Sequence, residues 1–172
     1  MCGVGRVTRS RGHKICFLKS KLSANVRDLG GFFSSPWKKS FIRLLEEKRS
    51  LDDIEHRMIR VWFKQPLIHG ALVCAAVSCP SLKNAAFVAD KLQQQLDHQM
   101  GLFLTDNTRN RVDLKKNRLY LSSIFKWYRE DFEKGHQGLN NLTDLIHVYE
   151  HELADDPQQL SWLQKQDFDI RF

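Results

Sequence analysis

A chain of 172 residues, 42% of them hydrophobic, fits one domain that can bury about 70% of the surface its unfolded form exposes. Its four cysteines, Cys2, Cys16, Cys74 and Cys79, are too few and too unevenly placed for a disulfide framework, and no run approaches the ~18 apolar residues of a membrane-spanning helix. The net charge of +7 is local: residues 1–50 hold twelve Lys and Arg against three acids, residues 51–172 fifteen against seventeen.

Residues 1–22 lack acids and lack the apolar run of a secretory signal. With no periodicity of their own they read as a basic tail, and residues 1–25 are set apart from a single domain over 26–172. The stretch VRDLGGFFSSPWKK follows, with a Gly-Gly pair and a Ser-Ser-Pro turn around Phe32, Phe33 and Trp37. Aromatics beside Lys38 and Lys39 are compatible with base stacking, but no pattern repeats, so core anchoring is the stronger reading and nucleic acid is not expected as a partner.

Ser50 with Asp53 resembles a capping box and predicts a helix through Phe63, its apolar stripe formed by Leu51, Ile54, Met58, Val61 and Trp62. At 100° per residue Glu55 lies next to that stripe and His56 almost opposite it. A carboxylate aimed at the core requires a basic side chain, a hydroxyl or a backbone N–H as partner.

The nearly charge-free run Ile68 to Pro80, IHGALVCAAVSCP, is the centre of the chain. Its apolar character predicts a central strand near 68–74, interrupted by His69, Cys74 and Cys79, three side chains with ligand or nucleophile chemistry. A helix is predicted from Leu82 to Leu104 with Pro80 at its start, which places Cys79 at a helix N-terminus, where free N–H groups favour a thiolate. The competing reading makes both cysteines small buried hydrophobes, and a Cys74–Cys79 bridge is left open for an oxidising compartment. His69, Cys74 and Cys79 also have metal-ligand chemistry, but their spacing matches no common zinc pattern, and no cofactor is expected.

Further on, RVDLKKNRLYLS alternates as a β-hairpin near 111–121, Ser122 or Ser123 caps the helix IFKWYREDFEK, and Gly135 ends it. The helix Leu142 to Leu153 contains His-Val-Tyr-Glu-His, a match to the inverted zinc-peptidase pattern. Its buried face, Leu142, Leu145, Ile146, Tyr149 and Leu153, puts His147 and His151 on the solvent side, against a zinc site.

Together, RDLGGFFSSPWKK, SLDDIEHRMIR, PLIHGALVCAAVSCPSL and NRLYLSSIFKWYREDF resemble, in order, the domain of unknown function family numbered 547 over roughly residues 26–134. The resemblance implies a domain found in bacteria, often behind an export signal, and in plants after a coiled coil; it implies no reaction, and the compartment stays open. Members usually carry a Phe-Trp-x-Asn-x-Tyr-Asn-Ala helix before the Gly-Gly-Phe loop and continue to a Tyr-Asp-Trp ending. Residues 1–25 show no such motif and the chain stops at DFDIRF, so truncation at both ends is expected.

The fold class expected is α+β, helix-rich with a small sheet. Two functions from different classes stand open. One is a thiol-dependent hydrolase or acyl transferase with Cys79 as nucleophile, His69 or His56 as base and Glu55 orienting it. The other is a non-catalytic protein-interaction module.

Overall fold

The computed structural model describes residues 35–74 and 76–172, and the tail of residues 1–25, its boundary and the Phe32–Phe33 loop lie outside them. The domain is α+β, with short strands and a larger helical part. Strands β1 (Ile42–Leu44) and β2 (Glu47–Arg49) form an antiparallel hairpin. Both of its turn residues, Leu45 and Glu46, have positive φ, the backbone of the type I′ turn that matches strand twist. Neither is glycine or asparagine, so the hairpin carries no turn signature in the sequence.

Ser50 and Asp53 do cap the next helix reciprocally: Asp53 N–H donates to Ser50 Oγ at 3.0 Å and Ser50 N–H to Asp53 Oδ2 at 3.1 Å. From Asp53 to Ile59 the backbone is a π-helix, passing into α1 (Arg60–Phe63). The wider i→i+5 turn rotates each side chain by less than the α-helical 100°. The apolar stripe therefore drifts: Met58 and Ile59 are buried, whereas Val61 and Trp62, expected in the core, are exposed.

The expected strand over 68–74 is a 3₁₀ turn, Pro66–Gly70, followed by irregular chain. Pro66 sets the first φ, and the Gln65 side chain accepts from Leu67 N–H at 3.2 Å, a cap that starts a turn rather than a ladder. All five turn residues are buried. Their tight seat explains Gly70: a Cβ there would stand 2.8 Å from the Met100 Cα on the neighbouring helix.

That helix, α2 (Leu92–Leu104), starts later than expected, because Ser81 to Val88 has no regular structure and only a 3₁₀ turn at Ala89–Lys91 precedes it. It buries Leu96, Met100, Phe103 and Leu104. The hairpin forms as expected from β3 (Arg111–Asp113) and β4 (Arg118–Tyr120), and β5 (Asp169–Arg171) adds parallel to β4. Ser122 caps α3 (Ser123–Trp127), followed by α4 (Arg129–Phe132), whose Phe132 is fully buried against Phe125.

The expected helix 142–153 is divided at Tyr149 into α5 (Leu142–Val148) and α6 (Glu150–Leu153), and α7 (Pro157–Lys165) leads to β5. Its buried face is the predicted one, and Tyr149 donates to Asp97 of α2 at 2.6 Å. His147 and His151 lie on the outside, with His147 Nδ1 3.2 Å from Glu150.

Candidate functional site

The π-helix and α1, the Pro66–Gly70 turn and the α3–α4 segment meet in one polar cluster. Asp131 on α4 is its hub. Arg60 donates to it bidentately, Nε to Oδ2 at 2.6 Å and Nη2 to Oδ1 at 2.9 Å, and His69 Nε2 lies 2.8 Å from Oδ2. This fork geometry is the strong form of an arginine–carboxylate pair. Burial would raise the Asp131 carboxyl, but the hydrogen bonds from His69 and Arg60 outweigh it and hold it well below the usual carboxylate range.

His69 is 2% exposed, and burial pushes its pKa down against the pull of Asp131. A neutral imidazole donating Nε2–H to a charged carboxylate satisfies both groups. The ring stacks on Tyr128 at 4.1 Å between centroids, and the Arg60 guanidinium lies 5.1 Å from the Tyr128 ring centre.

Glu55 is half-buried and accepts from the Tyr128 hydroxyl at 2.6 Å. Burial first, then this carboxylate, push the Tyr128 phenol far above its ordinary value, so the phenol stays a donor. His56 is exposed on the same helix. Its Nδ1 accepts from Arg60 Nη1 at 2.9 Å, and its Nε2 lies 3.9 Å from Asp52 and 4.0 Å from Glu55. Three of the four residues expected in a site, Glu55, His56 and His69, are thus joined through Arg60, Tyr128 and Asp131.

Cys79 is joined to Cys74 by a disulfide, and its 3% exposure places it in the core. Its sulfur accepts from Cys74 N–H at 3.1 Å, and among the described residues no imidazole hydrogen-bonds to it. The helix expected to start at Pro80 does not, so its N–H groups are not arrayed beside the sulfur. The bridge also occupies both sulfurs of the His69, Cys74, Cys79 ligand set.

Arg60, Tyr128 and Asp131 were not singled out in the sequence, although α3–α4 carries a readable signal. Asp131 immediately precedes the fully buried Phe132, so its carboxylate sits at the edge of a buried face and must find a partner by the same logic that singled out Glu55. Beside the cluster a cleft of about 50 Å³ is lined by the polar Arg60, Lys64, Gln65, Asp131, Lys134 and His136 and by the apolar Pro66 and Ile68. A second cleft of about 240 Å³ lies along α2 at Gln99, Leu102, Phe103 and Asp106. Both fall below the roughly 300–1,000 Å³ of ordinary small-molecule sites.

No curated protein and no solved structure matches the chain. A family model described as "Protein of unknown function, DUF547" matches residues 13–104, starting ahead of the boundary expected near residue 25 and ending before the NRLYLSSIFKWYREDF segment. That span covers more than half of the chain, and the polar cluster, with Glu55, His56, Arg60 and His69 inside it and Tyr128 and Asp131 beyond it, is thus a feature of a chain that belongs to the DUF547 family of proteins of unknown function.

Proposed function

We propose that the domain is a non-catalytic interaction module that binds an acidic, apolar segment of a partner protein on α1 and the cleft beside it. The observation that carries this reading is the run Val61, Trp62, Phe63, three consecutive large apolar side chains exposed at 58%, 54% and 39%. They stand on a helix fixed to the domain by Met58, Ile59 and the Arg60–Asp131 fork, so the surface is rigid before a partner arrives. Its surroundings are basic. Lys64, Lys134 and His136 line the cleft, and its one lining carboxylate, Asp131, is already bonded by Arg60 and His69. Lys134 Nζ is paired with Glu130 at 2.8 Å, so Lys64 is the cation on which the reading relies. A cleft of about 50 Å³ has room for a single carboxylate group.

A labelled amphipathic peptide of alternating glutamate and leucine is the probe. Its fluorescence anisotropy should rise with the wild-type protein, and Trp62→Ala and Lys64→Glu should each weaken binding about tenfold. Val77→Ala, an exposed apolar position on the Cys74–Cys79 loop, should bind like wild type. No binding, or binding that ignores Trp62→Ala, overturns the reading.

The second reading is the thiol-dependent hydrolase or acyl transferase with Cys79 as nucleophile, His69 or His56 as base and Glu55 as orienting group. The His69–Asp131 pair favours it, being the base-and-orienter half of such a site with Asp131 in the place foreseen for Glu55. It requires the bridge to be open. Iodoacetamide should then modify Cys79 in the reduced native protein with a thiol pKa below ~8.5 that rises in His69→Ala. An unshifted pKa in both proteins eliminates this reading.

A further inference from the structure

We propose that the Cys74–Cys79 bridge is a thiol-exchange site, which a dithiol reductant opens by attack on Cys74 and through which the loop between the His69 turn and the cap of α3 is loosened. The inference is independent of partner binding at α1. It starts from the asymmetry of the bridge: Cys79 is buried in the core, while Cys74 is the less buried residue of the two, partly covered by the core, next to the exposed Val73 and on the loop whose Val77 is 89% exposed. An incoming thiolate therefore meets Cys74 first.

The leaving sulfur is also provided for. Cys74 N–H donates to Cys79 Sγ at 3.1 Å, which stabilises negative charge on the sulfur displaced when Cys74 is attacked. In the first step the reductant thiolate forms an S–S bond to Cys74, the Cys74–Cys79 bond breaks, and its electron pair leaves on Cys79, which takes a proton. The second thiol of the reductant then attacks the reductant's own sulfur in the mixed disulfide. This forms the reductant's internal disulfide and releases Cys74 as a thiolate that is protonated in turn. The bridge gains two electrons and two protons, and the dithiol loses the same.

The loop has mechanical reach. Ser78 C=O accepts from Ser122 Oγ at 2.6 Å, and Ser122 is the N-cap of α3, which leads to Tyr128 and Asp131. Val77 C=O accepts from Arg109 Nε at 2.8 Å. Upstream of Cys74, the chain leads back to the buried turn that carries His69. The bridge thus ties together two of the three segments that build the polar cluster, and opening it gives both the freedom of an unclosed loop.

Glutathione is the first probe, because a monothiol has no second thiol of its own to resolve the mixed disulfide, and acid quenching traps the adduct before Cys79 or a second glutathione displaces it. After incubation of the full native chain and acid quenching, peptide mapping should place about tenfold more adduct on Cys74 than on Cys79. Dithiothreitol should then reduce the bridge without unfolding and raise hydrogen exchange at the Ser122 and Ile124 amides about tenfold. A Cys74→Ser/Cys79→Ala variant should show that faster exchange without reductant. Adduct mainly on Cys79, reduction only after denaturation, or unchanged exchange in both the reduced protein and the variant would each overturn the proposal.

Discussion

Asp131 organises the chemistry of its neighbours because it is a poorly exposed carboxylate with three nitrogen partners, two from Arg60 and one from His69, on distant parts of the chain. Removing its charge leaves Arg60 and His69 facing a weaker acceptor, so Asp131→Asn should lower unfolding free energy by about 2–4 kcal/mol in urea titration. Acid should act in the same direction. Asp131 has a folded-state pKa below its unfolded value, so it contributes stability that is present above the ordinary carboxylate pKa of ~4 and lost as pH falls below it. His69 also has a depressed folded pKa, so the unfolded chain binds its proton first and stability declines already below ~6.5. Two-stage loss on acidification is expected, and Asp131→Asn should flatten the lower stage. A single stage below ~4 in the wild type would show that His69 does not titrate differently on folding.

At the scale of elements, turn and contact geometry decide which substitutions matter. Gly70 touches the backbone of α2, and a methyl there must push Met100, so Gly70→Ala should destabilise by about 1–3 kcal/mol. The β1–β2 hairpin offers the opposite case. Leu45 and Glu46 hold positive φ without the residues that favour it, and Leu45 is more than half exposed. Replacing the pair by Asn-Gly should stabilise by about 1 kcal/mol, read from a thermal melt; a fall in melting temperature would mean that Leu45 packs on something after all. The π-helix is the element whose consequence is widest. Its wider turn takes Val61 and Trp62 out of the core and sets Glu55, His56 and Arg60 along one polar edge.

On the scale of the whole molecule, the bridge is the single covalent tie among the described residues, closing a short loop at the edge of the core. In the chain-entropy picture a loop of this length contributes about 2 kcal/mol. Dithiothreitol and the Cys74→Ser/Cys79→Ala substitution should each lower the urea midpoint by the equivalent of that amount. No change in either would mean that the reduced loop keeps its geometry through Ser78, Ser122 and Arg109 alone.

Elements whose determinants lie within a few residues were legible in the chain: the Ser50–Asp53 cap, the β3–β4 hairpin, the Ser122 cap, and the buried face from Leu142 to Leu153. The family was legible too, because ordered motif segments carry it. His69, Glu55 and His56 stood out as chemically unusual, but not their partners. Tyr128 is 73 residues from Glu55 and Asp131 is 62 from His69, and side-chain periodicity carries no information about which distant face meets which. The run Ile68 to Cys74 has a strand's composition, yet the proline before it and the close approach of α2 at Gly70 make its first three residues the end of a 3₁₀ turn and leave the rest irregular. Whether Cys79 is a thiol or half of a bridge depends on how the chain between it and Cys74 folds back, and that path is set by contacts with Arg109 and Ser122, remote residues that local spacing cannot name.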